Sequence, residues 1–173
     1  MHRRTRTGDD AWLVTGHDDV RRLLDGDRLG RAHINPGEAA RSNESALFGG
    51  PLGNYATEKS DHRRMRSLLQ PHFSPRAMRA FRHRVDALTS GLLADLAQQS
   101  QPADLNAHLA LLLPILVICE LLGVPYEDRE QFRAWTHAAA DIRHRTRSEQ
   151  GLTDLFTYGQ QLVAGKRARP ART

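Results

Sequence analysis

The stretch "LALLLPILVICELL" (109–122) constrains the fold more than any other part of this chain. Wound as a helix it is apolar almost all the way round, so it has to be buried on several sides. It falls short of the roughly 20 residues that span a bilayer, and Pro114 interrupts it. Proline suits the first turn of a helix that stops at Gly123, where Val124 and Pro125 enforce the break. Such a helix needs neighbours, and the rest of the sequence offers few. The pattern reads as part of a larger fold.

Those neighbours are helical too. "AWLVT" (11–15) is the one stretch that reads as a strand, and alone it has no partner. "HDDVRRLLDGD" follows as a short helix, with Asp18 and Asp19 in its first turn. From Gly26 to Thr57, Gly, Pro, Asn and Ser recur without period, a loop of the length that is usually functional or disordered. A helical pattern resumes near Ser60 and stops around Pro71. Ser74 and Pro75 mark a clean restart, as N-cap and first helical residue. Met78, Phe81, Val85, Leu88, Leu92 and Leu96 then step by three and four along one face. A helix with Phe132, Trp135 and Ala139 inward follows the apolar run. The last helix carries Leu152, Leu155, Phe156, Leu162 and Val163, with cations near its C-terminal end.

Charge narrows the function classes. The 173 residues carry a net charge of +5 with a pI near 10.1, which invites a nucleic-acid reading. Yet only Lys59 and Lys166 are lysines, and the arginines are scattered beside Asp and Glu, as in "GHDDVRRLLDGDR". A nucleic-acid footprint gathers cations on one face; here the charge describes a mixed solvated surface. One cysteine, Cys119, excludes an internal disulfide or a multi-cysteine zinc site. The nine histidines form no His-Glu-x-x-His spacing, and His62, His72 and His83 are too far apart for a local metal site. Nucleophile-elbow and phosphate-loop motifs are absent. No apolar signal-type segment follows the basic N-terminus, and the expected location is the cytoplasm, with no membrane and no nucleic acid as partner.

"SDHRRMRSLL" (60–69) sets His62 and Arg66 four residues apart, which on a helix brings their Cβ atoms within roughly 5–6 Å. An arginine-rich helix face is by default solvated surface, but the order of segments around this one is specific. "AWLVTGHDDVRRLLDGDRLG", a glycine-rich loop, "DHRRMRSLLQPHFSPRAM" and "PILVICELLGVPYEDREQF" together resemble the N-terminal part of a bacterial cytochrome P450.

The resemblance implies a mainly α fold, incomplete as it stands. It comprises helices B to about G with one short β-strand, forming a single partial domain over 1–173, with a B–C-type loop at about 26–57. It implies that His62 and Arg66 hold a haem propionate. A carboxylate near a low-dielectric pocket needs charge-assisted donors, and an arginine fork with a histidine one turn away supplies them. It places Ala46, Leu47 and Phe48 on the side of a small organic substrate. Arg63, Arg64 and Arg76 would face an acidic, ferredoxin-type redox partner. The parent activity is a monooxygenase that uses O2.

Within the 173 residues the cysteine-loop motif Phe-x-x-Gly-x-x-x-Cys-x-Gly does not occur, and around Cys119 its Phe and Gly positions are Leu112, Ile115 and Leu121. Cys119 is therefore expected to be a core thiol, not the haem ligand. Glu-x-x-Arg occurs only at Glu38–Arg41 and Glu130–Arg133, in a loop and in an early helix, and is taken as chance. No catalytic residue is assigned, and the segment by itself is expected to be inactive, because thiolate ligation drives O–O cleavage. The alternatives are a non-enzymatic remnant and a small basic helical binding protein.

Overall fold

Six helices and one small hairpin make up the computed structural model of the chain, which describes residues 1–26 and 28–168. The hairpin pairs β1 (His2–Arg4) antiparallel with β2 (Asp10–Trp12), setting His2 opposite Trp12 and Arg4 opposite Asp10. Gly8 turns the chain with φ of +89°, which only glycine adopts without strain. Two exchanges between Met1 and Leu13 extend the ladder. The expected lone strand at 11–15 is thus corrected: it runs only from Asp10 to Trp12 and has a partner. The partner was hidden because β1 is exposed and charged, so it carries no alternating apolar signal.

The helices are α1 (His17–Asp25), α2 (Glu58–Leu69), α3 (Pro75–Ala97), α4 (Leu112–Leu122), α5 (Arg129–Ala139) and α6 (Arg145–Ala168). Between α1 and α2 no helix or strand forms among the described residues. The described residues divide into two compact units, 1–64 with 134–168, and 65–133.

In the second unit, Ser74 caps α3 as its hydroxyl accepts from the Ala77 N–H, with Pro75 at the first helical position. Leu92 is the buried centre of the α3 stripe. A π-helical turn (Asn106–Ala110) leads into α4, which ends on Gly123 in the left-handed conformation, φ +65°. The Gly123 and Val124 amides return to carbonyls of α4 and close its C-terminus. On α4 only Ile115 and Cys119 are buried; Ile118 and Leu122 remain 44% and 47% exposed. α4 is held by charge as well. Glu120 accepts from Arg84 of α3 at 2.7 Å and from Arg129, at the start of α5, at 2.8 Å.

In the first unit the core is small and partly polar. Ala139, Ser45 and Ser148 are fully buried. Gly151 lets α6 approach the end of α5 so closely that a Cβ there would lie 2.5 Å from the Ala139 nitrogen. Trp135 and Tyr158 pack ring to ring at 5.4 Å. Phe156 and Val163 are 70% and 48% exposed. The small residues Ser148 and Gly151, rather than the large apolar ones, form the buried face of α6.

Candidate functional site

α2 carries the predicted clamp. Its start is set by Thr57, whose carbonyl accepts from the Asp61 N–H and whose hydroxyl bonds the Asp61 carboxylate. Glu58 and Asp61 suit the positive end of the helix dipole. His62 and Arg66 sit one turn apart on this helix, both exposed, and neither side chain has a hydrogen bond or ion pair among the described residues. Two cationic or donor side chains are therefore presented on one stripe of α2. Arg63, by contrast, turns back and donates from Nε to the Lys59 carbonyl at 3.3 Å.

Glu58 does something sequence reasoning missed. Its carboxylate reaches back across the loop and accepts from the backbone N–H groups of Arg31 and Ala32. These two bonds hold the carboxyl below its usual pKa. The clip closes one side of an open cleft of about 620 Å³ lined by Arg28, Leu29, Tyr55, Lys59 and Arg63 among others. Nothing in the local sequence signals a contact 27 residues apart.

The loop segment holding Ala46, Leu47 and Phe48 is an ordered structure. At its start, Arg41 is fixed at its N–H by the Asp9 carboxylate (2.9 Å) and at its carbonyl by the Thr7 hydroxyl. These contacts also keep the Asp9 carboxyl below its usual pKa, chiefly through the Arg41 N–H. Arg41 then donates from its guanidinium to the Ser45 carbonyl at 3.1 Å. Ser42 and Gly49 close the segment through backbone bonds, Ser42 N–H to Gly49 O and Gly49 N–H to Ser45 O.

At its centre the Ser45 hydroxyl donates to the Ala139 carbonyl at 3.0 Å and accepts from the Leu47 and Phe48 amides. Ser148 donates to the same carbonyl and accepts from the Ala46 amide at 2.9 Å. Glu44 adds a bond from its N–H to the Ile142 carbonyl. Ala46 and Leu47 are thus half-buried and Phe48 is 62% exposed, its ring held out from a fixed backbone.

The turn after α5 is equally well tied. Asp141 accepts from the Arg143 and His144 amides and from the side chains of His144 and Arg147. Led by the Arg143 bond, these contacts hold its carboxyl far below the usual range. Serines in a Ser/Asn-rich loop read as solvent-facing turn formers, which is why Ser45 escaped the sequence reading. The run "AAA" (138–140) with Ser148 and Gly151 was the available signal, since small residues on both partners permit a close helix approach.

Cys119 lies in the buried face of α4, and burial raises its thiol pKa, with Arg129 opposing. It is a protonated core thiol. Among the described residues no cluster of His, Cys, Asp and Glu could hold a metal, and no helix is long and apolar enough to cross a membrane.

No family model matches the chain. Among curated proteins it is 38% identical over 172 residues to pentalenolactone synthase of Streptomyces exfoliatus, covering 96% of this chain and 43% of that protein. It is likewise 38% identical over 166 residues to nocardicin C N-oxygenase of Nocardia uniformis subsp. tsuyamanensis, covering 94% and 41%. To cytochrome P450 BJ-1 of Bradyrhizobium diazoefficiens it is 33% identical over 175 residues, covering 98% and 43%. The chain therefore spans about two fifths of the length of these relatives. Among solved structures, substrate-free cytochrome P450 PimD, a pimaricin epoxidase, superposes with a TM-score of 0.82 at 32% identity, over 99% of this chain and 45% of that one. SgvP, involved in the tailoring step of griseoviridin, gives a TM-score of 0.81 at 31% identity, over 98% and 43%.

Proposed function

We propose, from the premise that this chain has the sequence and fold of the N-terminal part of a bacterial cytochrome P450, that it forms the propionate-binding and substrate-covering part of a haem monooxygenase. The observation that carries the reading is the pair His62 and Arg66. They stand one turn apart on α2, exposed and without a protein partner among the described residues. That donor set fits a haem carboxylate, which accepts a bidentate arginine and a second donor beside it.

Haem, when bound, supplies the O2 chemistry. The residues here would do three other things. Arg66 and His62 would neutralise and orient a propionate. The fixed segment at Ala46, Leu47 and Phe48 would line the substrate side and keep water from it. Arg63, Arg64 and Arg76 would present positive charge to an acidic, ferredoxin-type electron donor. The substrate class is a small organic molecule, in keeping with relatives named as an epoxidase, a synthase and an N-oxygenase. A cytoplasmic location belongs to the same reading. Cys119, closed within α4 as a thiol, supplies no axial ligand. The exposed apolar face of α4 also supports a place within a larger fold.

Two measurements test this. Haem added to the chain, reduced and exposed to CO, is expected to lack the spectrum of a thiolate-ligated complex. Such a spectrum would make Cys119 a ligand after all. In haem titrations, Arg66→Ala is expected to weaken binding by roughly tenfold to a hundredfold, since a hydrogen bond to a charged group contributes about 1.5–3 kcal/mol. Arg63→Ala, off the His62 stripe, should leave binding within about twofold, as exposed cations contribute little. Equal losses in both would mean that haem senses only the general charge of α2, and the clamp would be rejected.

A further inference from the structure

Along the helices, arginines are commonly paired with an acid one turn away, as Arg21 is with Asp25, Arg82 with Asp86 and Arg145 with Glu149. The cleft of about 620 Å³ at the start of α2 departs from this habit. Arg28, Lys59 and Arg63 line it, and the carboxylate in its lining is that of Glu58. That carboxylate is taken by the N–H groups of Arg31 and Ala32. Arg28 has no hydrogen bond or ion pair among the described residues. Arg63 spends its Nε on the Lys59 carbonyl, which is one of the five donors a guanidinium carries. Three cations and one engaged carboxylate leave an excess of two positive charges in one concavity.

Both walls are fixed. On one side Glu58 holds the backbone at 31–32, and the Leu52 N–H bonds the Arg31 carbonyl at 2.9 Å. Gly30 permits this approach, since a Cβ there would run into the Glu58 carboxylate. On the other side Asn54 closes a turn, its side chain accepting from the Ala56 N–H and its carbonyl from the Thr57 N–H. Tyr55 is carried on that turn, and its hydroxyl has no hydrogen bond among the described residues. Leu29 and Tyr55, both largely exposed, add apolar and aromatic surface beside the cations. All of these residues belong to one compact unit.

We propose that this cleft binds an organic phosphate monoester, with Arg28 and Arg63 on the phosphate oxygens and Leu29 and Tyr55 against the organic body. A phosphate monoester carries a charge of about −1.5 to −2 and three acceptor oxygens, which matches the excess charge and the two guanidinium forks. A carboxylate would leave one positive charge uncompensated. The volume lies within the roughly 300–1,000 Å³ of small-molecule sites. Because its walls are tied before any ligand arrives, little ordering opposes binding. The site is separate from the His62 and Arg66 pair and does not depend on the haem reading.

Isothermal titration calorimetry of the whole chain without haem tests this, with phenyl phosphate, inorganic phosphate and benzoate as probes. Phenyl phosphate is expected to bind about fivefold or more tightly than inorganic phosphate, because its ring buries apolar surface. It should bind about tenfold more tightly than benzoate, which brings a single charge. Arg28→Ala and Arg63→Ala are each expected to weaken phenyl phosphate about tenfold or more, as charge-assisted bonds are lost. Arg82→Ala, in the other compact unit, should change it by less than about twofold. Arg66→Ala should also leave it within about twofold, so Arg63 and Arg66 trade places between phenyl phosphate and haem.

Equal affinity for phenyl phosphate and inorganic phosphate would overturn the proposal, and so would benzoate binding as well as phenyl phosphate. An equal loss in Arg82→Ala would make the binding a matter of general charge, and an equal loss in Arg66→Ala would move it to the other face of α2. The wild-type chain gives an independent check through amide hydrogen exchange. Bound phenyl phosphate should slow exchange at 28–32 and 55–60 and leave α3 unchanged; protection elsewhere alone would reject the cleft. Haem binding, present or absent, moves none of these outcomes.

Discussion

Gly151→Ala is expected to destabilise the chain by about 1–3 kcal/mol, the usual range for forcing a methyl group into a packed interior. The new Cβ would lie 2.5 Å from the Ala139 nitrogen and 2.6 Å from the Ala138 Cβ. One of those atoms is backbone and the other is a methyl without rotamers, so neither yields cheaply. α6 would have to back away from the end of α5, pulling Ser148 from the Ala139 carbonyl one turn earlier. The same helix supplies the control. Gly159 has nothing within 4 Å of its ideal Cβ. There, alanine is expected to stabilise by about 0.5–1 kcal/mol through helix propensity. One substitution, made twice in one helix, should therefore move the denaturant midpoint in opposite directions, with far-UV circular dichroism as the readout. A stabilising effect at both positions would show that α6 does not sit against α5 as described.

Glu120→Gln is expected to cost about 1.5–3 kcal/mol at neutral pH, the contribution of hydrogen bonds to charged groups. The carboxylate joins Arg84 and Arg129, and Arg129 is only 19% exposed, with its Nε buried and unpartnered. Removing the anion leaves that guanidinium without its counter-charge. The Arg129 hydrogen bond, more than Arg84, holds the Glu120 carboxyl below its ordinary value of 4.5. The sign follows from that lowering. The contribution is fully present above about pH 4.5 and is lost as the pH falls through the lower folded value. Wild type should therefore lose stability on acidification more steeply than the glutamine variant, and the two curves should converge at low pH. Arg84→Ala, removing a half-exposed partner, should cost less than about 1 kcal/mol. Parallel pH curves for wild type and Glu120→Gln would show that the network does not depend on the charge.

Much of the helical scaffold could be read from local chemistry. Ser74 with Pro75, Gly123 before Val124 and Pro125, and the stripe from Met78 to Leu96 each state a helix end or face within a few residues, and each is where it was expected. What escaped is non-local. β1 is charged because both its faces are wet, and its pairing with β2 depends on the turn at Gly8 rather than on apolar alternation. Phe156 and Val163 carry helical spacing but face outward, because the close approach at Gly151 turns the small-residue face of α6 inward. The candidate site divides in the same way. His62 and Arg66 are visible because four-residue spacing is a property of one helix. Glu58, Arg41, Ser45 and Ser148 are invisible because each acts on backbone groups far along the chain, and a backbone amide has no letter in the sequence.

The contacts of Ser45 with Ala139 and Ser148, 94 and 103 residues away, also set a timetable for synthesis. On a ribosome adding roughly 5–20 residues per second, the loop waits on the order of 5–20 s for its acceptor carbonyl and its second hydroxyl. Until then the hairpin can hold Arg41 through Thr7 and Asp9, but the Ser45 hydroxyl and the Glu44 and Ala46 amides lack their partners at Ala139, Ile142 and Ser148. The stretch from Asn43 to Gly49 is thus the natural target for a protease or chaperone acting on the nascent chain. It stops being one only after α6 has emerged.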